Sequence, residues 1–153
     1  TPPSMIESSN VYSCKRIVST RLEGGNGDDY AMIELDRNVS GRQPLKVRKS
    51  GRIAVNTEIV VIGHPTGLPT KVTDGAKVRS LQGKYFVANL DTYGGNSGSA
   101  VFDAKTGVVE GILVRGETDY VTDPTGCRAS NYCPENGCRG EDVTYITNVP
   151  NLP

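Results

Sequence analysis

The sequence predicts an all-β fold: a closed antiparallel barrel of six short strands, preceded by two strands that complete no unit of their own. Three observations carry this. Eighteen glycines and nine prolines are spread among short β-branched runs over 153 residues, the composition of strands with frequent turns. Turn signals separate the runs at short intervals: Pro65-Thr66-Gly67, Asp74-Gly75, Gln82-Gly83-Lys84 and Lys105-Thr106-Gly107. No segment sustains an apolar stripe at helical spacing, which argues against long helices.

Taken in order, residues 15–20 read as a strand and lead into the flexible connection Gly24-Gly25-Asn26-Gly27. Residues 30–35 alternate large with small or polar positions, and the pattern breaks at 41–44. A regular series follows, with strands expected at 58–63, 76–81, 85–90, 99–102, 108–114 and 143–147. Six strands with tight connections suit a small closed barrel. Two strands are marginal by themselves in water. Residues 1–49 therefore read as the end of another unit, and residues 50–153 as a complete one.

Lys plus Arg number 17 and Asp plus Glu number 17. A balanced chain offers no electrostatic argument for nucleic acid or an anionic membrane as partner. No apolar run approaches the roughly 20 residues that a spanning helix needs. The opening Thr1-Pro2-Pro3-Ser4 lacks the basic region and apolar core of a signal peptide, so the numbering is expected to start at a processing or cloning boundary. Cys14, Cys127, Cys133 and Cys138 are the cysteines, and their spacings lack the tight pairs of structural zinc sites. Disulfides in an oxidising compartment are expected instead, with a secreted or periplasmic location and no metal or cofactor. Three cysteines in one loop-like stretch cannot all pair among themselves, so one reaches outward. Cys14 is the other candidate in the chain, and the connectivity stays open.

The chemistry concentrates in Gly94-Gly95-Asn96-Ser97-Gly98-Ser99-Ala100-Val101-Phe102, a serine between glycines running into an apolar strand. Serine is a poor nucleophile at neutral pH and needs a base, a group orienting that base, and donors for an oxyanion. Gly95 lets the backbone approach closely, so the N–H groups of Gly95 and Ser97 can converge on one point. An ordinary Gly/Ser turn is the plainer reading of the same residues. In Asp29-Tyr30-Ala31-Met32-Ile33-Glu34-Leu35 a carboxylate stands immediately before an alternating strand, a rigid place for an acid that orients an imidazole. Asp28 and Asp36 compete for that role, and Asp29 has the better register. No histidine precedes Asp29, and the one histidine, His64, stands before Pro65 in a turn. Its expected role is structural.

These segments together resemble the chymotrypsin-like serine peptidases, particularly the compact bacterial trypsin-like branch near the glutamyl endopeptidases. Val109-Glu110-Gly111-Ile112-Leu113-Val114-Arg115-Gly116 looks like the strand along which substrate lies in that family, and Val60-Val61-Ile62-Gly63-His64-Pro65 is similar to the strand opening its second barrel. The resemblance implies the last two strands of a first barrel and the whole of a second, with Ser97 as nucleophile, Asp29 as triad acid and Gly95 with Ser97 as oxyanion hole. The family places its histidine on the first barrel, upstream of the acid. A partner is therefore implied: an N-terminal portion of the same enzyme carrying the catalytic histidine. Asn96 stands where many animal relatives carry an acid that pairs with a new α-amino terminus, so that activation switch is not carried over.

The resemblance also implies a substrate-binding set of Asp91, Thr92, Val114, Arg115 and Gly116. Asp91, six residues before Ser97, falls where trypsin-like relatives place the carboxylate of the primary specificity pocket, which implies cleavage of polypeptides after Arg or Lys. Arg115 at the cleft rim makes glutamate preference the runner-up. The free backbone of Gly116 suits pairing with an extended substrate. A barrel of this kind that lacks its base would instead be a non-catalytic binding module, and a plain disulfide-stapled β-domain is the remaining reading.

Overall fold

The structure is a computed structural model that describes residues 3–134 and 137–152. Strands β1 (Cys14–Leu22) and β2 (Asp29–Leu35) form an antiparallel two-stranded sheet, with Leu22 opposite Asp29 beside the Gly-rich turn. The barrel is made of β3 (Glu58–Gly63), β4 (Lys71–Leu81), β5 (Tyr85–Ala88), β6 (Ala100–Asp103), β7 (Val109–Arg115) and a last strand, Glu141–Tyr145. Between β7 and that strand lies a small hairpin outside the barrel, β8 (Tyr120–Thr122) and β9 (Arg128–Ser130), so Glu141–Tyr145 is β10. The barrel closes in the order β10-β5-β4-β3-β6-β7, all antiparallel. Among the described residues no helix is long and apolar enough to cross a membrane.

Alternation decides what fills the barrel. Ile59 and Val61 point inward from β3 while Glu58 and Ile62 point out, and Ala76 and Val78 do the same on β4. Phe86, Val101, Leu113, Val143 and Tyr145 complete the interior. Each large apolar side chain buried this way contributes about 1.5–3 kcal/mol. Gly111 faces inward because a Cβ there would strike Val143 and the Thr144 carbonyl. A second cluster joins Tyr30 of β2 to Val109, Ile146 and Val149, which seats the β1–β2 hairpin on the outside of the barrel.

Two features differ from expectation. Asp74-Gly75 does not separate strands: β4 starts at Lys71 and runs through it. The register against β3 advances two residues from Ile59 to Val61 and three from Ala76 to Thr73. The extra residue is a β-bulge, and Gly75 supplies its positive φ of 76°. The β8–β9 hairpin was not foreseen, because its strands are only three residues each and lack an alternating apolar face.

The connection between the two sheets is stitched to β7. Val47 bridges Val109 in parallel, the Arg48 N–H donates to the Val109 carbonyl at 3.0 Å, and the Val109 N–H donates to the Lys46 carbonyl at 2.8 Å. Arg48 grips Glu110 with two nitrogens, at 2.5 and 2.9 Å. Glu110 is almost wholly buried, and a carboxylate there without its partner would be strongly destabilising.

Candidate active site

The turn between β5 and β6 carries Ser97, and its backbone is tied down at alternate positions. The Gly94 N–H donates to Asp119 Oδ2 at 2.6 Å. The Asn96, Gly98 and Ser99 N–H groups donate to the carbonyls of Tyr93, Leu113 and Asn96 at 3.3, 2.7 and 3.0 Å. Among the described residues, the Gly95 and Ser97 N–H groups donate to no protein acceptor. Gly95 has φ +89°, and a Cβ there would lie 2.9 Å from the Thr66 nitrogen, so glycine is required twice over. The Thr66 N–H donates to the Gly94 carbonyl at 2.8 Å, which leans the turn against the single 3-10 turn Pro65–Gly67.

Asn96 is buried, and its Oδ1 accepts from Ser99 Oγ at 3.1 Å. Both groups fill the space where Gly63 has no side chain. The amide thus anchors the turn from beneath while Ser97 is left on the surface. Ser97 Oγ reaches the Val114 carbonyl at 3.4 Å, a long contact that leaves the hydroxyl available.

Asp28 is buried and committed, accepting from Lys84 Nζ at 2.9 Å and Asn148 Nδ2 at 2.6 Å. Asp36 pairs with Arg37 at the far end of β2. Asp29, half-buried at the start of β2, has no side-chain hydrogen bond or ion pair among the described residues. Its turn is drawn to the end of β7 by Arg115 Nη2, which donates to the Gly27 carbonyl at 3.2 Å. His64 Nε2 is paired with Thr70 Oγ1 at 2.9 Å, and its carbonyl accepts from the Gly67 N–H at 3.3 Å. The only imidazole in the sequence is therefore engaged within its own turn.

A cavity of about 60 Å³ adjoins Ser97, lined among others by Thr92, Arg115, Gly116, Glu117, Asp119 and Glu141. Asp91 is exposed and lines a neighbouring cavity that shares Glu117, Asp119 and Glu141 with the first. Arg115 Nε donates to Asp142 Oδ2 at 2.9 Å, and Arg139 Nη1 takes Asp142 Oδ1 at 2.5 Å. Burial, then the charge of Asp119, pushes the Glu141 carboxyl up to about 7. Glu117, Asp119 and Glu141 escaped the sequence reading because they lie beyond β7 and on β10, remote from any motif.

Cys133 and Cys138 form a disulfide with Cα atoms 5.6 Å apart, and both line the cavity that Asp91 borders. Cys14 and Cys127 are exposed thiols. The pairing joins two cysteines only five positions apart in sequence, whose Cα separation is in bonding range. No bond runs from this loop to β1, contrary to the expectation of an outward link.

A trypsin-like peptidase domain model matches residues 6–112, a span that includes both Asp29 and Ser97. The chain is 29% identical over 119 residues to the glutamyl endopeptidase of Staphylococcus aureus strain MW2, covering 70% of this chain and 35% of that protein. Its match to the enzyme of strain MRSA252 is 28% over 106 residues, covering 64% and 29%. The chain thus spans about a third of the length of the curated relatives it matches. Among solved structures it is similar to the Rv3671c protease of M. tuberculosis. The active form gives a TM-score of 0.54 at 19% identity, covering 77% of this chain and 49% of that one. The inactive form gives 0.55 at 17%, covering 88% and 61%. At these identities the structural likeness speaks to architecture alone.

Proposed function

Because this chain belongs to the trypsin-like peptidase domain family, we propose that it is part of a serine endopeptidase that cleaves polypeptides through an acyl-enzyme. Ser97 Oγ attacks the scissile carbonyl, and the N–H groups of Gly95 and Ser97 hold the oxyanion that forms. Asp29 orients the imidazole that takes the Ser97 proton and returns it to the leaving amine. That imidazole comes from polypeptide outside these 153 residues, since His64 is paired with Thr70. Extended substrate pairs with the backbone of Val114 and Gly116 at the open end of β7.

The observation that carries this reading is the pattern of N–H use around Ser97. Gly94, Asn96, Gly98 and Ser99 all donate within the protein, while the two donors an oxyanion needs find no acceptor among the described residues. A plain structural turn has no reason to leave that particular pair open.

Cleavage after Arg or Lys is supported by the acidic lining of the cavity beside Ser97. The names of the relatives favour a second reading, preference for glutamate. Arg115, the cation that reading needs, is engaged with Asp142 and the Gly27 carbonyl. The disulfide supports a secreted or periplasmic location.

The test is labelling of the native protein, with its full polypeptide, by a fluorophosphonate, followed by peptide mapping. Modification at Ser97, lost on Ser97→Ala, is the expected outcome. A folded native protein that takes no label is a binding module on a peptidase fold. Cleavage-site profiling of the labelled enzyme then separates Arg or Lys from Glu.

A further inference from the structure

The cavity beside Ser97 has three carboxylates, and they stand differently in it. Asp119 Oδ2 holds the Gly94 N–H at 2.6 Å, so it braces the nucleophile turn. Glu117 Oε1 holds the Arg139 N–H at 2.7 Å, so it braces the approach to β10. Asp91 lies outside this cavity and is exposed. None of the three has an ion pair among the described residues, since both nearby guanidiniums, Arg115 and Arg139, go to Asp142, and the carboxylate set apart by its position is that of Glu141, which takes the Glu117 N–H. Its carboxylate lies directly over Gly116, where any Cβ would collide with it. That sets the charge against the backbone with which an extended substrate pairs.

We propose that Glu141 is the residue that receives the cationic side chain preceding the scissile bond, in place of Asp91. This rests on the peptidase reading and names the specificity determinant of that same site. A guanidinium or ammonium entering beside Ser97 meets a carboxylate poorly solvated by its surroundings and without a cation of its own, and charge-assisted hydrogen bonds form. The cavity is small, about 60 Å³, and Glu141 is part of its lining. A cationic side chain draws the carboxylate aside along Gly116.

The site is also tuned by pH. Burial, Asp119 and Asp142 disfavour the ionised form of Glu141, while the Glu117 N–H and the Arg139 charge favour it, with a balance near 7. Glu117, Asp119 and Arg115 face it across the cavity, and Asp91 stands in the adjoining one. Below that balance Glu141 is a neutral acid and does not discriminate for charge. Above it the carboxylate is ionised and prefers a cation.

The experiment measures binding of benzamidine and its uncharged relative benzamide to the native full-length protein by calorimetry, at about pH 6 and about pH 8.5, either side of the Glu141 midpoint. Wild type is expected to favour benzamidine over benzamide by roughly tenfold more at the higher pH. Glu141→Gln should lose about tenfold in benzamidine affinity at that pH and show no pH step, while Asp91→Asn keeps both. Glu141→Asp retains the charge and should keep the step at weaker affinity, which decides the matter if Glu141→Gln proves unfolded. Unchanged benzamidine binding by Glu141→Gln, a loss carried by Asp91→Asn, or no step in Glu141→Asp overturns the inference. Fluorophosphonate labelling of the same samples separates the two levels. Label at Ser97 with amidine binding indifferent to Glu141 sinks the inference alone, whereas an unlabelled wild type sinks the peptidase reading beneath it.

Discussion

The barrel and the β1–β2 hairpin use the same alternating code and finish in opposite states. In the barrel, Ile59, Val61, Val78, Phe86 and Val143 are all sealed from water. In the hairpin, Tyr30 and Met32 turn toward the barrel, while on the rest of its surface Ile17 is 64% exposed and Leu22 83%. Ion pairs from Lys15 and Arg16 to Glu34 cross between the two strands, hold the Glu34 carboxyl below its ordinary range, and leave that apolar surface uncovered. Ser97 therefore sits on a closed barrel with a sealed core. Asp29 sits on a two-stranded sheet whose outer apolar positions are exposed among the described residues.

The comparison breaks most sharply at the two neighbouring aspartates. In the native protein, Asp29→Asn should lower kcat by about 10⁴-fold with little change in melting temperature. Asp28→Asn should do the reverse, lowering the melting temperature through loss of the Lys84 and Asn148 contacts while most of kcat remains. Steady-state kinetics beside thermal melts reads both. If Asp28→Asn carries the kinetic loss, the roles are exchanged and the hairpin register is wrong.

Core truncation comes next. Phe86→Ala should cost about 3–5 kcal/mol in urea unfolding, because Phe86 is fully buried against Tyr145. Ile17→Ser should fall within about 0.5 kcal/mol in residues 1–153 alone. In the full polypeptide the same change should cost about 1–3 kcal/mol if a further sheet covers it. Equal values for Ile17→Ser in both settings would mean that the hairpin's outer surface meets only water.

The smallest effect sharpens the barrel side. The folded protein holds the Glu141 proton more tightly than the unfolded chain does, about 7 against an ordinary 4.5. Stability linked to Glu141 is thus greatest below about pH 4.5 and declines as pH rises toward 7. Glu141→Gln should remove that decline and stabilise the protein at neutral pH by about 1–2 kcal/mol, allowing for partial solvent screening. Urea midpoints across that pH range would check the sign.

The barrel was legible because closure, turn chemistry and alternation agree along β3 and β5 to β7, with edges displaced by a residue or two. Asp74-Gly75 misled because the same residue types serve a turn and a bulge, and only the register against β3 separates them. At the site, Ser97, Gly95 and Asp29 stood out because each sits beside local backbone features that a linear reading detects. The acidic lining did not. Glu117, Asp119 and Glu141 meet only when β10 folds back along β7, and Arg115 looked free until Asp142 and Gly27 came to it. The cysteine pairing was open for the same reason: distance along the chain does not fix distance in space.

Thr66 holds φ at +51°, a conformation that costs a threonine something, and its amide supports the Gly94 carbonyl one residue away from the Gly95 donor. The tilt of the Gly94–Gly95 peptide is thereby set by a turn that lies outside the segment carrying Ser97. The Gly95 donor is adjustable there like the pitch of a string at its peg: Thr66→Gly would relax the strain and loosen the peptide, leaving Ser97 and Asp29 themselves untouched.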